Sequence, residues 1–229
     1  EAGVGRGIAE SYDERLGRSD LYVQTKFTPL DGQDPERVPY DRRARRPAQV
    51  AQSFSASLRN LKTDYLDCLL LHSPLATPAA TAEVWAAMET IYEAGGARQL
   101  GISNCYDARY LETLYEWAAV KPAVVQNRFI AETRYDRDVR AFCAERGIVY
   151  QSFWTLTANP HLLASAEVRT VAAKHECTPA QVLFRYLSQE GVVPLTGTTS
   201  ERHMQEDLDI FRFELGEDER RRITALLAG

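Results

Sequence analysis

The sequence predicts an α/β fold: a (β/α)8 barrel of parallel strands and crossover helices that lacks its first strand. Three observations carry that expectation. Seven short apolar runs alternate with longer amphipathic stretches along the 229 residues, the pattern of strands joined by helices. The runs close on polar or aromatic groups: LYVQTKF on Lys26, YLDCLLLH on His72, RQLGISN on Ser103 and Asn104, AVVQNRF on Gln126 and Asn127, VYQSFW on Phe153 and Trp154, and VVPLTGTT on Thr198, with DIFRFEL ending the series. A closed barrel needs eight strands, yet the chain opens on Glu1 at a loop-to-helix junction with no strand before it. In such barrels function gathers at the C-terminal strand ends, so one face is expected to collect Lys, His, Asn, Gln and Phe.

Taken in order, residues 3–16 read as the tail of a helix and 21–27 as a strand. The stretch 28–47 that follows is irregular, with Pro29, Pro35, Pro39, Pro47 and Gly32 along it and Arg42, Arg43, Arg45 and Arg46 clustered near its end. A loop of that length inside a compact domain is usually functional or mobile, though its arginines also suit plain solvation. Val50, Phe54, Leu58 and Leu61 then recur at helical spacing, an apolar stripe for packing on a sheet. Further helices are expected around Val84, Met88 and Ile91, stopped by Gly95-Gly96, around Leu111, Leu114 and Trp117, and over Val139 to Glu145, stopped by Gly147. The last three span 166–175, 179–190, where Thr178-Pro179 supplies an N-cap and a first-turn proline, and Glu217 to Leu227. No linker or low-complexity segment interrupts the series, so residues 1–229 read as a single domain.

A barrel of this class typically takes about 250 residues, so this chain is long enough to bury a sizeable core. The net charge of −5 is spread over interleaved acids and bases; no basic stripe points to nucleic acid and no polybasic patch to a membrane. No apolar stretch approaches the ~20 residues of a membrane-crossing helix, and the N-terminus has no signal-peptide pattern. Cys68, Cys105, Cys143 and Cys177 are widely spaced and form no Cys-x-x-Cys pair, as suits small core residues in a reducing compartment. Neither they nor the scattered histidines have zinc-ligand spacing. The expectation is a cytoplasmic protein without a metal.

Individual residues at the strand ends each admit two readings. Lys26 closes an apolar run, where an unpaired ammonium is costly to bury; it either snorkels to the rim or sits beside a phenol and makes that phenol a better acid. His72 ends CLLLH, as a core histidine or as a group that orients a carbonyl oxygen. Ser103, Asn104 and Gln126 suit a carboxamide, which both donates and accepts hydrogen bonds, while Asn104 also suits a turn. Phe153 and Trp154 are either core aromatics or a stacking wall. LTGTTSERHMQEDL sets a glycine and hydroxyl residues ahead of a helix N-terminus, an arrangement that offers N–H groups to phosphate without a full Walker or Rossmann pattern.

These motifs together resemble the aldo-keto reductase family, and the likeness runs from Glu1 to the C-terminus. SFSASLRNLKTDYLDCLLLHSPL at 53–75 is similar to the family's long mid-chain signature; GISN at 101–104, VVQNRF at 124–129, TPAQVLFRY at 178–186 and ERHMQEDL at 201–208 follow in the family's order and spacing. The resemblance implies a TIM-type barrel and NAD(P)-dependent reduction of an aldehyde or ketone to an alcohol, or the reverse. In such enzymes hydride leaves the nicotinamide, a Tyr protonates the oxygen, a Lys paired with an Asp tunes that Tyr, and a His orients the carbonyl. By motif position Lys26 and His72 match the Lys and the His. EAGVGRGI resembles the segment that follows the Tyr, so the Tyr and the Asp are expected upstream of Glu1, in an N-terminally incomplete chain. Tyr12, placed within the first helix, does not substitute.

For the cofactor the resemblance implies Ser103, Asn104 and Gln126 on the nicotinamide carboxamide and Phe153 stacked on its ring in place of the usual Tyr. Trp154 then walls the substrate pocket. Thr198 and Ser200 match hydroxyls near the adenosine end, and Glu206 and Asp207 match the pair that contacts adenine. Gly197 and His203 stand where a Lys and an Arg usually meet the 2′-phosphate of NADP, so a weak NADP preference or use of NAD is expected. Cys105 departs from the aromatic residue usual after GISN. The expected partner is a small carbonyl or alcohol substrate; the alternative on the same fold is a non-catalytic cofactor-binding regulatory subunit or an inactive fragment.

Overall fold

The computed structural model describes residues 1–227. Its regular elements run α1 (Ala2–Ser11), β1 (Gln24–Phe27), α2 (Arg46–Leu61), β2 (Cys68–Leu71), α3 (Pro78–Glu93), β3 (Leu100–Ser103), α4 (Ala108–Trp117), β4 (Val124–Arg128) and α5 (Arg137–Arg146). Then come β5 (Val149–Phe153), α6 (Pro160–Ala164), α7 (Ala166–Lys174), α8 (Pro179–Gln189), β6 (Val192–Pro194), α9 (Glu201–Leu208) and α10 (Glu217–Leu226). The strands follow one another in sequence order in one sheet, with β1 and β2, β2 and β3, and β5 and β6 paired parallel. This is the expected α/β alternation. The chain divides into two compact units, Glu1–Cys105 with Arg109–Val125, and Tyr106–Ala108 with Gln126–Gly229.

In the first unit β2 and β3 are buried along their whole length, as strands covered on both faces must be. The DYLD motif locks the entry to β2. Tyr65 lies between two guanidinium groups, Arg18 at 3.9 Å and Arg98 at 4.2 Å from its ring centre. The buried Asp67 carboxylate accepts from Arg18 at 2.8 Å, from Arg98 at 3.2 Å and from the Val23 N–H at 2.9 Å. At the other end of the unit α1 is bolted to α2 and β1 through the Glu1 carboxylate, which accepts from Thr25 at 2.6 Å, Ser57 at 2.8 Å and Asn60 at 3.1 Å. Burial opposes ionisation of Glu1, and these hydrogen bonds outweigh it, so its carboxyl sits below the usual range. Gly5 is required for this packing because a Cβ there would fall 2.1 Å from the Asn60 carbonyl oxygen.

The second unit is built on α8, whose Val182, Leu183, Phe184 and Leu187 are buried. Thr178 and Gln181 form a reciprocal capping box at its start, worth about 1 kcal/mol. Glu219 of α10 is buried and accepts from Lys174 at 2.7 Å, from the Gly216 N–H at 2.8 Å and from His175 at 3.2 Å. Ahead of α5, Arg134, Tyr135 and Asp136 are consecutively left-handed, with φ of 53°, 52° and 53°, a costly backbone for non-glycine residues. The turn carries the Asp136 carboxylate inward, where it accepts from Asn127 at 2.6 Å and Tyr150 at 2.9 Å; burial raises its pKa in spite of those bonds.

Four expectations need correction. DIFRFEL is not a strand: Asp209–Arg212 is a 3-10 turn, held by Gln205 to Asp209 at 2.9 Å and Arg212 to Asp209 at 3.1 Å. The described residues therefore carry six strands, two fewer than the eight of a closed barrel. The first helix stops at Ser11 rather than 16, because Asp13 accepts from the N–H groups of Arg15 at 2.7 Å and Leu16 at 2.8 Å and diverts the backbone into a turn; Tyr12 is thus its extended C-cap. The first strand starts at Gln24 rather than 21, because the Val23 N–H is taken by the Asp67 side chain. The short α6 has no counterpart in the expected elements.

Candidate active site

Lys26 and His72 come together in the first unit. Lys26 lies on β1 opposite Leu70 of β2, and His72 follows β2 directly, its N–H donating to the Phe27 carbonyl at 2.9 Å. Burial lowers the Lys26 pKa; burial and the Lys26 charge lower that of His72, which is accordingly a neutral ring near pH 7. The Nδ1 atom of His72 is buried without a hydrogen-bond partner. A proton there would be an unsatisfied buried donor, which favours the tautomer protonated on Nε2, the one able to donate to a carbonyl oxygen.

The 28–47 stretch opens as a built cover for this ring. Gly32, ending the 3-10 turn Leu30–Gly32, faces His72 so closely that an added Cβ would stand 3.3 Å from Nδ1. The turn is pinned through the Thr28 carbonyl, which accepts from Tyr40 at 2.7 Å and Gln33 at 3.1 Å, and through stacking of Phe27 on Tyr40. Asn104, left-handed at φ 52°, donates to the His72 carbonyl at 2.8 Å and to Ser103 Oγ at 3.3 Å. Ser103, Asn104 and His72 thereby form one connected group. A cleft of about 440 Å³ in this unit, lined by Phe27, Arg45, Arg46, Leu75 and Thr77 among others, holds neither Lys26 nor His72.

The remaining site residues belong to the second unit. Gln126 Nε2 donates to Gln151 Oε1 at 2.8 Å in a buried pair. Phe153 closes β5, and its carbonyl accepts from the Phe129 N–H at 3.1 Å. Trp154 follows with φ 57° and stays 54% exposed. In the loop from β6 to α9, Ser200 caps α9 by accepting from the His203 N–H at 3.4 Å, and its own N–H donates to Thr198 Oγ1 at 3.0 Å. Thr196 donates to Asp207 at 2.7 Å, and the Glu206 carbonyl accepts from Gln181 at 2.9 Å. Arg202 Nη2 stands 3.2 Å from His203 Nε2, both side chains exposed. A cleft of about 730 Å³ opens beside them, lined by Gly197, Thr198, Met204, Asp207, Leu208 and Phe211 among others.

Comparison with known proteins decides the family. The family model described as "Aldo/keto reductase family" matches residues 1–228. The chain belongs to the aldo-keto reductase family. It is 32% identical to the glyoxal reductase of Bacillus subtilis over 226 residues, covering 99% of this chain and 74% of that protein. It is 30% identical to the uncharacterized oxidoreductase YtbE of the same organism over 227 residues, covering 99% and 75%. Among solved structures, an aldo/keto reductase from Brucella melitensis superposes with a TM-score of 0.82 at 26% identity, covering 98% of this chain and 79% of the other. The fold is accordingly of the aldo-keto reductase barrel class, and the chain is an enzyme of the oxidoreductase type.

In this aldo-keto reductase three residues near the candidate site escaped sequence reasoning. Gln151 lies in the interior of a strand and was marked by no motif, since only pairing across the sheet reveals its bond to Gln126. Gly32 resembled an ordinary loop breaker until its approach to His72 was visible. Arg128 stood unremarked beside Gln126 and Asn127, yet its guanidinium lies 4.2 Å from the Trp154 ring centre. Among the described residues Lys26 meets no carboxylate.

Proposed function

We propose that this chain is an NAD(P)H-dependent carbonyl reductase, with residues 1–229 working as one domain on a small aldehyde or ketone in the cytoplasm. The observation that carries the reading is the Lys26–His72 pair: among the described residues, a half-buried ammonium without a carboxylate, next to a neutral imidazole whose Nδ1 is buried without a partner. His72 orients the carbonyl oxygen by donating from Nε2, and Lys26 supplies positive potential where negative charge develops on that oxygen. The bound dinucleotide would supply the hydride to the carbonyl carbon, and water reaching the site would supply the proton that completes the alcohol.

The donor set fits such a cofactor. Ser103, Asn104 and Gln126 carry hydroxyl and amide groups suited to a carboxamide, and Gln126 Nε2 donates to Gln151 Oε1 at 2.8 Å. Phe153 offers a ring face, Thr198 and Ser200 offer hydroxyls beside the N-terminus of α9, and Glu206 and Asp207 serve the adenine. With His203 and Arg202 side by side and no lysine at Gly197, discrimination between NADP and NAD is weak. Four free cysteines are consistent with a reducing compartment.

Turnover of a small aldehyde with NADPH or NADH tests the reading. Lys26→Met and His72→Ala should each lower kcat by about 10²-fold or more, while the cofactor dissociation constant, followed by protein fluorescence, moves by less than about threefold. Equal losses in turnover and cofactor affinity would make both residues structural and overturn the assignment.

A further inference from the structure

Resting on that reading, we propose that Arg128 and Trp154 form a carboxylate-recognition element, and that the preferred substrates are aldehydes or ketones bearing a remote carboxylate. Side chains alternate along a strand, so Arg128 shares the face of β4 that carries Gln126, about 7 Å further toward the C-terminal end. Trp154 follows Phe153, the last residue of β5, and its ring meets the Arg128 guanidinium across the strand ends. Two of the residues proposed to hold the nicotinamide, Gln126 and Phe153, are thus each followed within two positions by one member of the pair.

The pair is built rather than incidental. The Arg128 guanidinium stacks 4.2 Å from the Trp154 ring centre. Among the described residues it has no carboxylate within ion-pair distance, whereas Arg134, Arg146, Arg202 and Arg212 each have one. The backbones beneath it are fixed: the Arg128 N–H donates to Tyr106 Oη at 3.2 Å, and the Phe129 N–H to the Phe153 carbonyl at 3.1 Å. Buried Asn159 clamps the far side by donating to the Phe129 carbonyl at 2.6 Å and the Thr155 carbonyl at 3.0 Å. These bonds hold Trp154 in its left-handed conformation, which is unfavourable for a bulky residue, and its ring keeps the guanidinium from collapsing onto the surface. A stacked guanidinium retains its edge N–H groups, the fork that matches a carboxylate.

Succinic semialdehyde and butyraldehyde, equal in carbon number and differing in the carboxylate, are the probes. Calorimetric titration without reduced cofactor, at low salt, should give a dissociation constant about tenfold or more lower for succinic semialdehyde, a preference that shrinks as salt is raised. Arg128→Met should bring the two constants within about twofold, Arg128→Lys should keep part of the preference, and Trp154→Phe should keep more of it than Trp154→Ala. Arg128→Gln replaces the methionine variant if the latter does not fold. Equal binding of the two aldehydes by the unaltered protein, or a preference that survives loss of Arg128, overturns the proposal. Acid-selective binding with turnover indifferent to Lys26 and His72 would instead overturn the proposed reaction and leave the carboxylate element standing.

Discussion

The Gln126–Gln151 pair would let a residue that need not touch the reacting groups orient one of the proposed cofactor ligands. An amide that donates Nε2 to a fixed acceptor cannot flip without losing a buried hydrogen bond, and leaving a buried donor unpaired costs about 1–3 kcal/mol. In the proposed site Gln151→Leu removes one acceptor that orients Gln126, so the cofactor dissociation constant should rise about 5- to 100-fold, while Gln151→Glu keeps an acceptor and should restore most of the affinity. Unchanged cofactor binding in Gln151→Leu would show that Gln126 is oriented by something else. Lys26 and His72 were legible in the sequence because each closes an apolar run, where a polar residue demands a reason. Gln151, Gly32 and Arg128 were not, because the contacts that matter join segments many residues apart.

At the scale of elements, local chemistry was the better guide. Thr178-Pro179 marks the start of α8 and Gly147 the end of α5, since caps and stops act within one turn of the chain. DIFRFEL misled because its alternating apolar residues copy a strand's period while Gln205, Asp209 and Arg212 bond at helical spacing. The fastening of α10 to α7 carries a pH signature. Burial raises the Glu219 pKa, but bonds from Lys174, the Gly216 N–H and His175 outweigh burial and bring it from the ordinary 4.5 to about 2. A carboxyl held lower in the folded state stabilises fully above the unfolded value, loses that contribution as pH falls toward the folded value, and has none left below it. The melting temperature should therefore drop on acidification across that window, and Glu219→Gln should be less stable at neutral pH with a flatter acid limb. An acid limb as steep in the variant as in the parent would assign the transition to other carboxyls.

At the scale of the whole molecule, β6 is the last strand of the sheet and, among the described residues, pairs with β5 alone. Near it Val193 is 45% exposed, Met204 48%, Leu208 70% and Phe211 68%. An unpaired strand edge beside clustered apolar side chains favours association. Sedimentation of the 229-residue chain should show an average mass that climbs with concentration, and Leu208→Glu with Phe211→Ser should suppress the climb without changing the circular dichroism; a single mass at every concentration would contradict this. The stack of Arg128 on Trp154 also gives the molecule an optical handle. Trp85 is sealed in the core, its indole N–H bonded to the Val120 carbonyl at 3.1 Å, whereas Trp154 lies open beneath a fixed positive charge. Iodide is drawn toward that charge and caesium is repelled by it, so once Trp117, itself 40% exposed, is replaced by Phe, the emission lost to the anion beyond that lost to the cation reports Trp154 and whatever anion comes to occupy its place.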